Sequence, residues 1–194
     1  MLSERQSEIL GIMFGDGAMS KVGGSIQIAV TGHKIEDKNY LINHVCPLFA
    51  QEFDVQMKSR YRLNENTMDI YVYSKKTASI LNSWGMPLGL KNAGTLQPTV
   101  ELAKADFVRG LFDTDGSIYR KYGKYKQIQF KGSSKKLMEY TLDAIIGLGF
   151  YPTALHLDET RYKFYLCRQK DVQRFFETIS PANEKHQKRL QVIK

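Results

Sequence analysis

Two acids in this chain stand where an acid is hard to explain by folding alone. Asp16 closes the apolar run "ILGIMFGDG", Ile9 to Gly17, and Asp115 closes "VRGLFDTDG", Val108 to Gly116, in the same register. Each run reads as an apolar helix ending on a carboxylate, where the macrodipole is negative and an acid is disfavoured by roughly 0.3–1 kcal/mol. One copy has a local explanation, since Asp-Gly is a common turn pair and Gly17 is the residue type expected to cap a helix in the left-handed conformation. Two copies about half a chain apart point instead to an internal duplication. Paired carboxylates are the ligands a hard divalent cation takes, provided the fold brings them together.

The segments downstream of each acid support the duplication. After the first come the alternating run "SIQIAVT", a helical run from Glu36 to Gln51, strand-like "VQMKSRYRL" and "TMDIYVYS", and a helical run from Lys75 to about Ser83. After the second come "YKQIQFKG", a helical run from Ser134 to Leu148, strand-like "PTALHLDE" and "RYKFYLCR", and a helical run from Lys170 to about Ile179. The division is therefore a first half at 1–83, a linker rich in Gly, Pro and Asn at 84–99, a second half at 100–180, and a basic tail at 181–194 expected to be mobile or to lie along a phosphate backbone.

Composition narrows the partners. The chain has 194 residues and a formal net charge of +8, with an isoelectric point near 9.4, which suits a polyanion, nucleic acid before membrane. No apolar run approaches the roughly 20 residues needed to span a bilayer. "MLSERQSEIL" lacks the apolar core of a signal peptide, so an intracellular protein is expected. Cys46 and Cys167 have no zinc-ligand spacing around them, and His33, His44, His156 and His186 form no metal or triad pattern.

The strands add a second signal, because side chains alternate between faces with period two. In "SIQIAVT" Ile26, Ile28 and Val30 form the apolar set, leaving Ser25, Gln27, Ala29 and Thr31 opposite. In "VQMKSRYRL" the inward set is Val55, Met57, Ser59 and Tyr61, and the outward set is Gln56, Lys58, Arg60 and Arg62. In "YKQIQFKG" Tyr125, Gln127, Gln129 and Lys131 face away from Ile128 and Phe130. Outward rows of long donors with almost no acid suit DNA: Gln reads adenine, and Arg or Lys reads guanine, on major-groove edges.

The two nine-residue runs resemble the motif of the LAGLIDADG homing endonucleases, in the branch where one chain carries two copies. The resemblance implies an α+β fold of two pseudo-symmetric αββαββα halves, a saddle of antiparallel sheets packed through the two motif helices. Small residues at the third and seventh motif positions, Gly11 and Gly15 in one copy and Gly110 and Thr114 in the other, would let the two backbones approach. Asp16 and Asp115 would then meet, and their mutual repulsion makes sense as a metal site. By the same resemblance Mg²⁺, two or three ions per site, would be held by both acids, the backbone carbonyls of Gly15 and Thr114, scissile phosphate oxygens and water, with Mn²⁺ as a substitute and Ca²⁺ supporting binding without cleavage. The implied reaction is hydrolysis of both strands of a long, nearly palindromic DNA site by a monomer.

The resemblance leaves some matters open. The family's water-positioning polar residue after the first long strand is replaced by Gly32 and Gly132, with His33, Lys34, Ser133 and Lys135 as neighbouring candidates. Basic residues opening the last helices, Lys75 and Lys76 in one half and Arg168 and Lys170 in the other, are candidates to screen the scissile phosphates. Arg120 and Lys121 join the candidate DNA contacts. Two rival functions also fit the chain: an RNA maturase that assists splicing of its intron, and a non-catalytic DNA-binding regulator on the same scaffold.

Overall fold

The computed structural model describes residues 1–192. Helix α1 (Glu4–Phe14) begins at a capping box, in which the Ser3 hydroxyl accepts from the Gln6 N–H and the Gln6 side chain accepts from the Ser3 N–H. Two otherwise unsatisfied donors of the first turn are thereby paired. Every residue from Ser7 to Phe14 is buried, as expected of a helix covered on all sides.

Strands β1 (Gly17–Val22) and β2 (Ser25–His33) come next, then a helical run in three pieces: α2 (Lys38–Tyr40), a π-helical turn (Leu41–Val45) and α3 (Cys46–Phe53). The sequence predicts one helix here. Pro47, in the first turn of α3, has no N–H to offer the preceding turn, and the wider turn just before it absorbs the loss. Strands β3 (Lys58–Tyr61) and β4 (Thr67–Tyr73) and helix α4 (Lys75–Ser83) complete the first half. The second half repeats the order with α5 (Lys104–Asp115), β5 (Ser117–Tyr122), β6 (Tyr125–Gly132), α6 (Lys135–Gly147), β7 (His156–Asp158), β8 (Arg161–Leu166) and α7 (Gln169–Thr178).

Each half carries one antiparallel sheet, ordered β1-β2-β4-β3 and β5-β6-β8-β7. The architecture is the α+β pair of repeated halves that the motif spacing predicts. β3 and β7, each at one edge of its sheet, are shorter than their strand-like runs. Ile28, Val30, Met68 and Ile70 of the first sheet, and Ile128, Phe130, Phe164 and Leu166 of the second, face the helices within one continuous buried cluster.

Helices α1 and α5 hold the halves together. A Cβ built on Gly11 would lie 2.2 Å from the Phe107 carbonyl oxygen, and one on Gly110 would lie 2.2 Å from the Glu8 carbonyl oxygen. The two backbones are thus in direct contact at reciprocal points. Gly17 and Gly116 serve differently from the expected left-handed cap, since neither has positive φ. Their missing Cβ atoms let the next strand fold back against the helix: a Cβ on Gly17 would lie 2.5 Å from Met13 Cα, and one on Gly116 would lie 2.6 Å from the Phe112 carbonyl oxygen.

Of the tail's two expected states, the mobile one is corrected. Rather than trailing free, it forms helix α8 (Glu184–Val192), with Asn183 and His186 buried and the His186 ring centroid 4.4 Å from that of Phe112. Burial pushes the His186 imidazole down to about 3, with Lys185 adding to the effect, so a neutral ring packs in the second half's core. Ile193 and Lys194, the end of the expected tail, lie outside the described residues.

Candidate metal and DNA site

Asp16 comes directly after α1 and is half-buried, and Asp115 is the last residue of α5 and is exposed. The close packing of the helices brings them to one place. A Cβ on Gly15 would fall 2.0 Å from Thr114 Oγ1 and 3.6 Å from Asp115 Oδ2. Burial, then the charge of Asp115, pushes the Asp16 carboxyl up to about 7. Asp115 is raised too: although the residue reaches solvent, the protein packed around its carboxyl desolvates it, against the opposing charges of Lys91, Arg161 and Lys185. Between them the acids resist carrying two negative charges unless a cation is near.

A cation of the protein's own stands there. Lys91 arrives from the 84–99 segment, which is pinned alongside the edge strand β1 where the Gly89 N–H donates to the Met19 carbonyl at 2.7 Å. Its ammonium donates to the carbonyl oxygens of Phe14 at 2.9 Å and Gly15 at 2.5 Å. Burial pushes this amine down to about 8, against the pull of Asp115 and Asp16. Facing Asp115, a cavity of about 210 Å³ is lined by Lys91, Lys131, Ser133 and Arg161 among others, with room for several waters.

The Asp16 side is closed by a buried polar network that no sequence pattern announces. The Asp37 carboxylate accepts from the His33 N–H and from Asn183 Nδ2, both at 2.8 Å, and pairs with Lys185 Nζ at 3.0 Å. Although burial opposes its charge, Lys185 and these hydrogen bonds hold Asp37 below the usual carboxylate range. Asp113 accepts from the Ala182 and Asn183 N–H groups, yet burial pushes its carboxyl up to about 7. A side chain at position 32 would meet Asp37, since a Cβ on Gly32 would lie 2.9 Å from Asp37 Cβ. Asp37 and Leu41 therefore occupy the space into which a side chain at position 32 would project.

Lys91 and Lys185 occupy corresponding places just after the last helix of each half. The signal was in the sequence, as Pro87 and Pro181 each stand four residues before a lysine. The expected screening residues lie elsewhere. Ser74, before Lys75 and Lys76, donates its N–H to the Ile26 carbonyl, whereas the Asp16 carbonyl accepts from the Thr31 N–H. Five residues along β2 separate the two ends, about 17 Å. Gln169, flanked by Arg168 and Lys170, bonds both the N–H and the carbonyl of Lys126, five residues along β6 from the Lys131 that lines the Asp115 cavity.

The open faces of the sheets, opposite the helices, carry much of the expected set. Ser25, Gln27 and Thr31 line up with Tyr73, Tyr71 and Asp69 of β4 and with Lys58 and Arg60 of β3. In the second sheet Ser117 and Tyr119 line up with Gln127, Gln129 and Lys131, and these with Tyr165 and Lys163. Four corrections apply. The faces are not free of acid, because fully buried Asp69 sits in the first and Asp158 ion-pairs with Lys163 in the second. Gln27 and Gln127 are buried, their amides donating to Tyr73 Oη and Cys167 Sγ. Arg120 pairs in register with Lys126 on the helix side of the sheet, and Lys121 falls at the adjoining bulge over the Tyr122 ring. His33 Nδ1 accepts from the Ile35 and Glu36 N–H groups of its own turn, and Lys34 Nζ donates across to the Glu65 carbonyl in the loop between β3 and β4, so both are engaged within the protein.

Of the remaining candidates, Tyr125 is exposed on the open face, Gln56 is exposed in the loop before β3, and Arg62 lies just beyond β3. Ser133 lines the Asp115 cavity, while Lys135 ion-pairs with Glu139 at 3.4 Å. Among the described residues no three His, Cys, Asp or Glu side chains cluster as a metal site. The donor set is two carboxylates and a carbonyl already engaged by an ammonium, which fits a hard cation completed by phosphate oxygens and water.

This arrangement, two repeated αββαββα halves packed through glycine-bearing helices with an acid at each base, is the LAGLIDADG endonuclease fold. Residues 103–180 match the family model described as a LAGLIDADG-like domain. The chain is similar in structure to the homing endonuclease I-DmoI in complex with DNA and Mn, at 21% identity over 91% of this chain and 96% of that one, TM-score 0.63. I-DmoI in complex with DNA and Ca gives 21% identity over 91% and 88%, TM-score 0.63. The LAGLIDADG meganuclease I-AabMI bound to uncleaved DNA gives 12% identity over 99% and 89%, TM-score 0.65. No curated protein matches the chain by sequence.

Proposed function

We infer that this protein is a site-specific, metal-dependent endonuclease that cuts both strands of a long double-stranded DNA target as a monomer. The observation that carries this reading is the meeting of Asp16 and Asp115 beside the Gly15 carbonyl, with the Lys91 ammonium already drawn to that oxygen. A regulator that only bound DNA would gain nothing from two mutually repelling acids at its centre.

Asp16, Asp115 and the Gly15 carbonyl would hold Mg²⁺ or Mn²⁺, with the Thr114 carbonyl as a further candidate. When bound, such a cation lowers the pKa of a water and stabilises the leaving oxygen. The chain's own residues do the rest. Lys91 and Lys185, one beside each acid, lend positive charge where the phosphate gathers negative charge in the transition state. Lys131, Ser133 and Arg161 line the cavity in which water and a phosphate oxygen are accommodated on the Asp115 side. The sheets' open faces supply phosphate and base contacts over the flanking DNA, which set affinity and register. The reading is tested by incubating the protein with a library of double-stranded sites and Mg²⁺ and sequencing the cut ends. A unique site cut on both strands is expected, and the absence of cuts with any divalent cation would refute it.

A further inference from the structure

Asp69 is a fully buried acid in the middle of a face that the endonuclease reading turns toward DNA. Three side chains converge on it. The Thr31 hydroxyl donates to Oδ1 at 2.8 Å, Arg60 Nε donates to Oδ2 at 2.9 Å, and Arg62 Nε bonds both oxygens at 3.1 Å. The two arginines are used differently. Arg62 also gives Nη2 to Thr31 Oγ1 at 3.2 Å and places Nη1 3.6 Å from Glu65, so its guanidinium is engaged at every nitrogen. Arg60 is held only by Nε, with its guanidinium carbon 4.8 Å above the centre of the Tyr71 ring. Its two terminal nitrogens have no partner among the described residues.

We propose that Asp69 is a positioning residue for base readout, which clamps Arg60 between its carboxylate and the Tyr71 ring so that the two terminal nitrogens present a preformed fork to a guanine, while Arg62 acts as a brace. The inference rests on the endonuclease reading. Guanine offers O6 and N7 in the major groove as a pair of acceptors matched to an arginine fork. A guanidinium fixed on its Nε edge and one ring face keeps its far end for the base, and the rotamer freedom lost on binding is already lost in the free protein. The target therefore carries a guanine opposite the first sheet, at one position and on one strand.

The test uses the full-length protein and the target recovered from a randomised double-stranded library with Mg²⁺. Cleavage is then measured on targets bearing each base at each position. Wild type should prefer guanine at one position in the half covered by the first sheet. Arg60→Lys keeps the charge but loses the fork, and should lower that preference about tenfold while leaving the salt dependence of binding unchanged. Asp69→Asn should relax the same position, because an amide has one acceptor oxygen and cannot serve both Arg60 and the Thr31–Arg62 pair, without weakening binding to non-specific DNA. Should Asp69→Asn fail to fold by circular dichroism, Tyr71→Leu, which keeps Asp69 and removes the other side of the clamp, takes its place and should relax the same position. A wild-type base profile in both variants, or an even loss across all positions, would overturn the proposal. A wild type that cuts no DNA would instead remove the endonuclease reading, and this proposal with it.

Discussion

Gly15 and Thr114 meet at the base of the two motif helices: a Cβ on Gly15 would overlap Thr114 Oγ1 at 2.0 Å. Gly15→Ala should therefore destabilise the protein by about 1–3 kcal/mol. The pair can be exchanged, and Gly15→Ala combined with Thr114→Gly should recover part of the loss. Denaturant midpoints of the two variants check this. A single variant as stable as wild type would mean that the helices do not meet there.

The acid beside that contact weakens the free protein. Asp16, with its pKa raised from 3.8 to about 7, holds more protons folded than unfolded between those values, so its contribution to stability falls as pH rises from 4 through 7. Asp16→Asn removes that slope. In metal-free buffer at pH 8 the variant should be the more stable, by on the order of 1 kcal/mol after solvent screening, and at pH 4 the two should converge. Mg²⁺ should narrow the gap by stabilising the wild type. Melting curves at the two pH values, with and without Mg²⁺, decide the matter.

Lys91 and Lys185 should be separable from binding. Lys91→Met or Lys185→Met should reduce cleavage by on the order of a hundredfold, the usual loss on removing one preorganised electrostatic group. Affinity for the target should change far less, because most contacts lie on the sheets. Equal losses in binding and cleavage, measured by gel shift in Ca²⁺ and by cutting in Mg²⁺, would assign the lysines to DNA affinity instead.

A buried ion pair crosses the helix interface away from the acids. Glu8 of α1 lies 2.9 Å from Arg109 of α5 and 2.6 Å from His44. Burial opposes the Glu8 charge, but His44 and Arg109 outweigh it and hold its pKa below 4.5. Its contribution is thus complete above the ordinary glutamate range and is lost as pH falls through the lowered value. Arg109→Ala should cost about 3 kcal/mol at pH 7, the usual penalty for stranding a buried charge, and less once Glu8 is protonated. A cost independent of pH would show that packing, not charge, matters at Arg109.

Much of the fold and of the site is legible in the sequence because the duplication carries it. The period-two strands, the small residues at Gly11, Gly15, Gly110 and Thr114, and the two acids are local patterns, and each is repeated. The features that escape depend on contacts between segments distant in sequence. Asp37, Asp113, Asn183 and Lys185 come from separate places and meet only when α8 folds back. Asp69 is one polar residue in an apolar strand, and its hold on Arg60 and Arg62 depends on β3 pairing with β4. Lys75 and Lys170 stand at helix starts, but the strand register carries those starts away from the acids.

The central claim is that Asp16 and Asp115 act together in cutting DNA. A supercoiled plasmid carrying the recovered target, incubated with Mg²⁺ and wild type, Asp16→Asn or Asp115→Asn, reports uncut, nicked and linear products in one gel. Wild type should linearise it, and each Asn variant, still binding the target in Ca²⁺, should leave it uncut with a rate lower by several orders of magnitude. Linearisation at the wild-type rate by either variant would contradict the account.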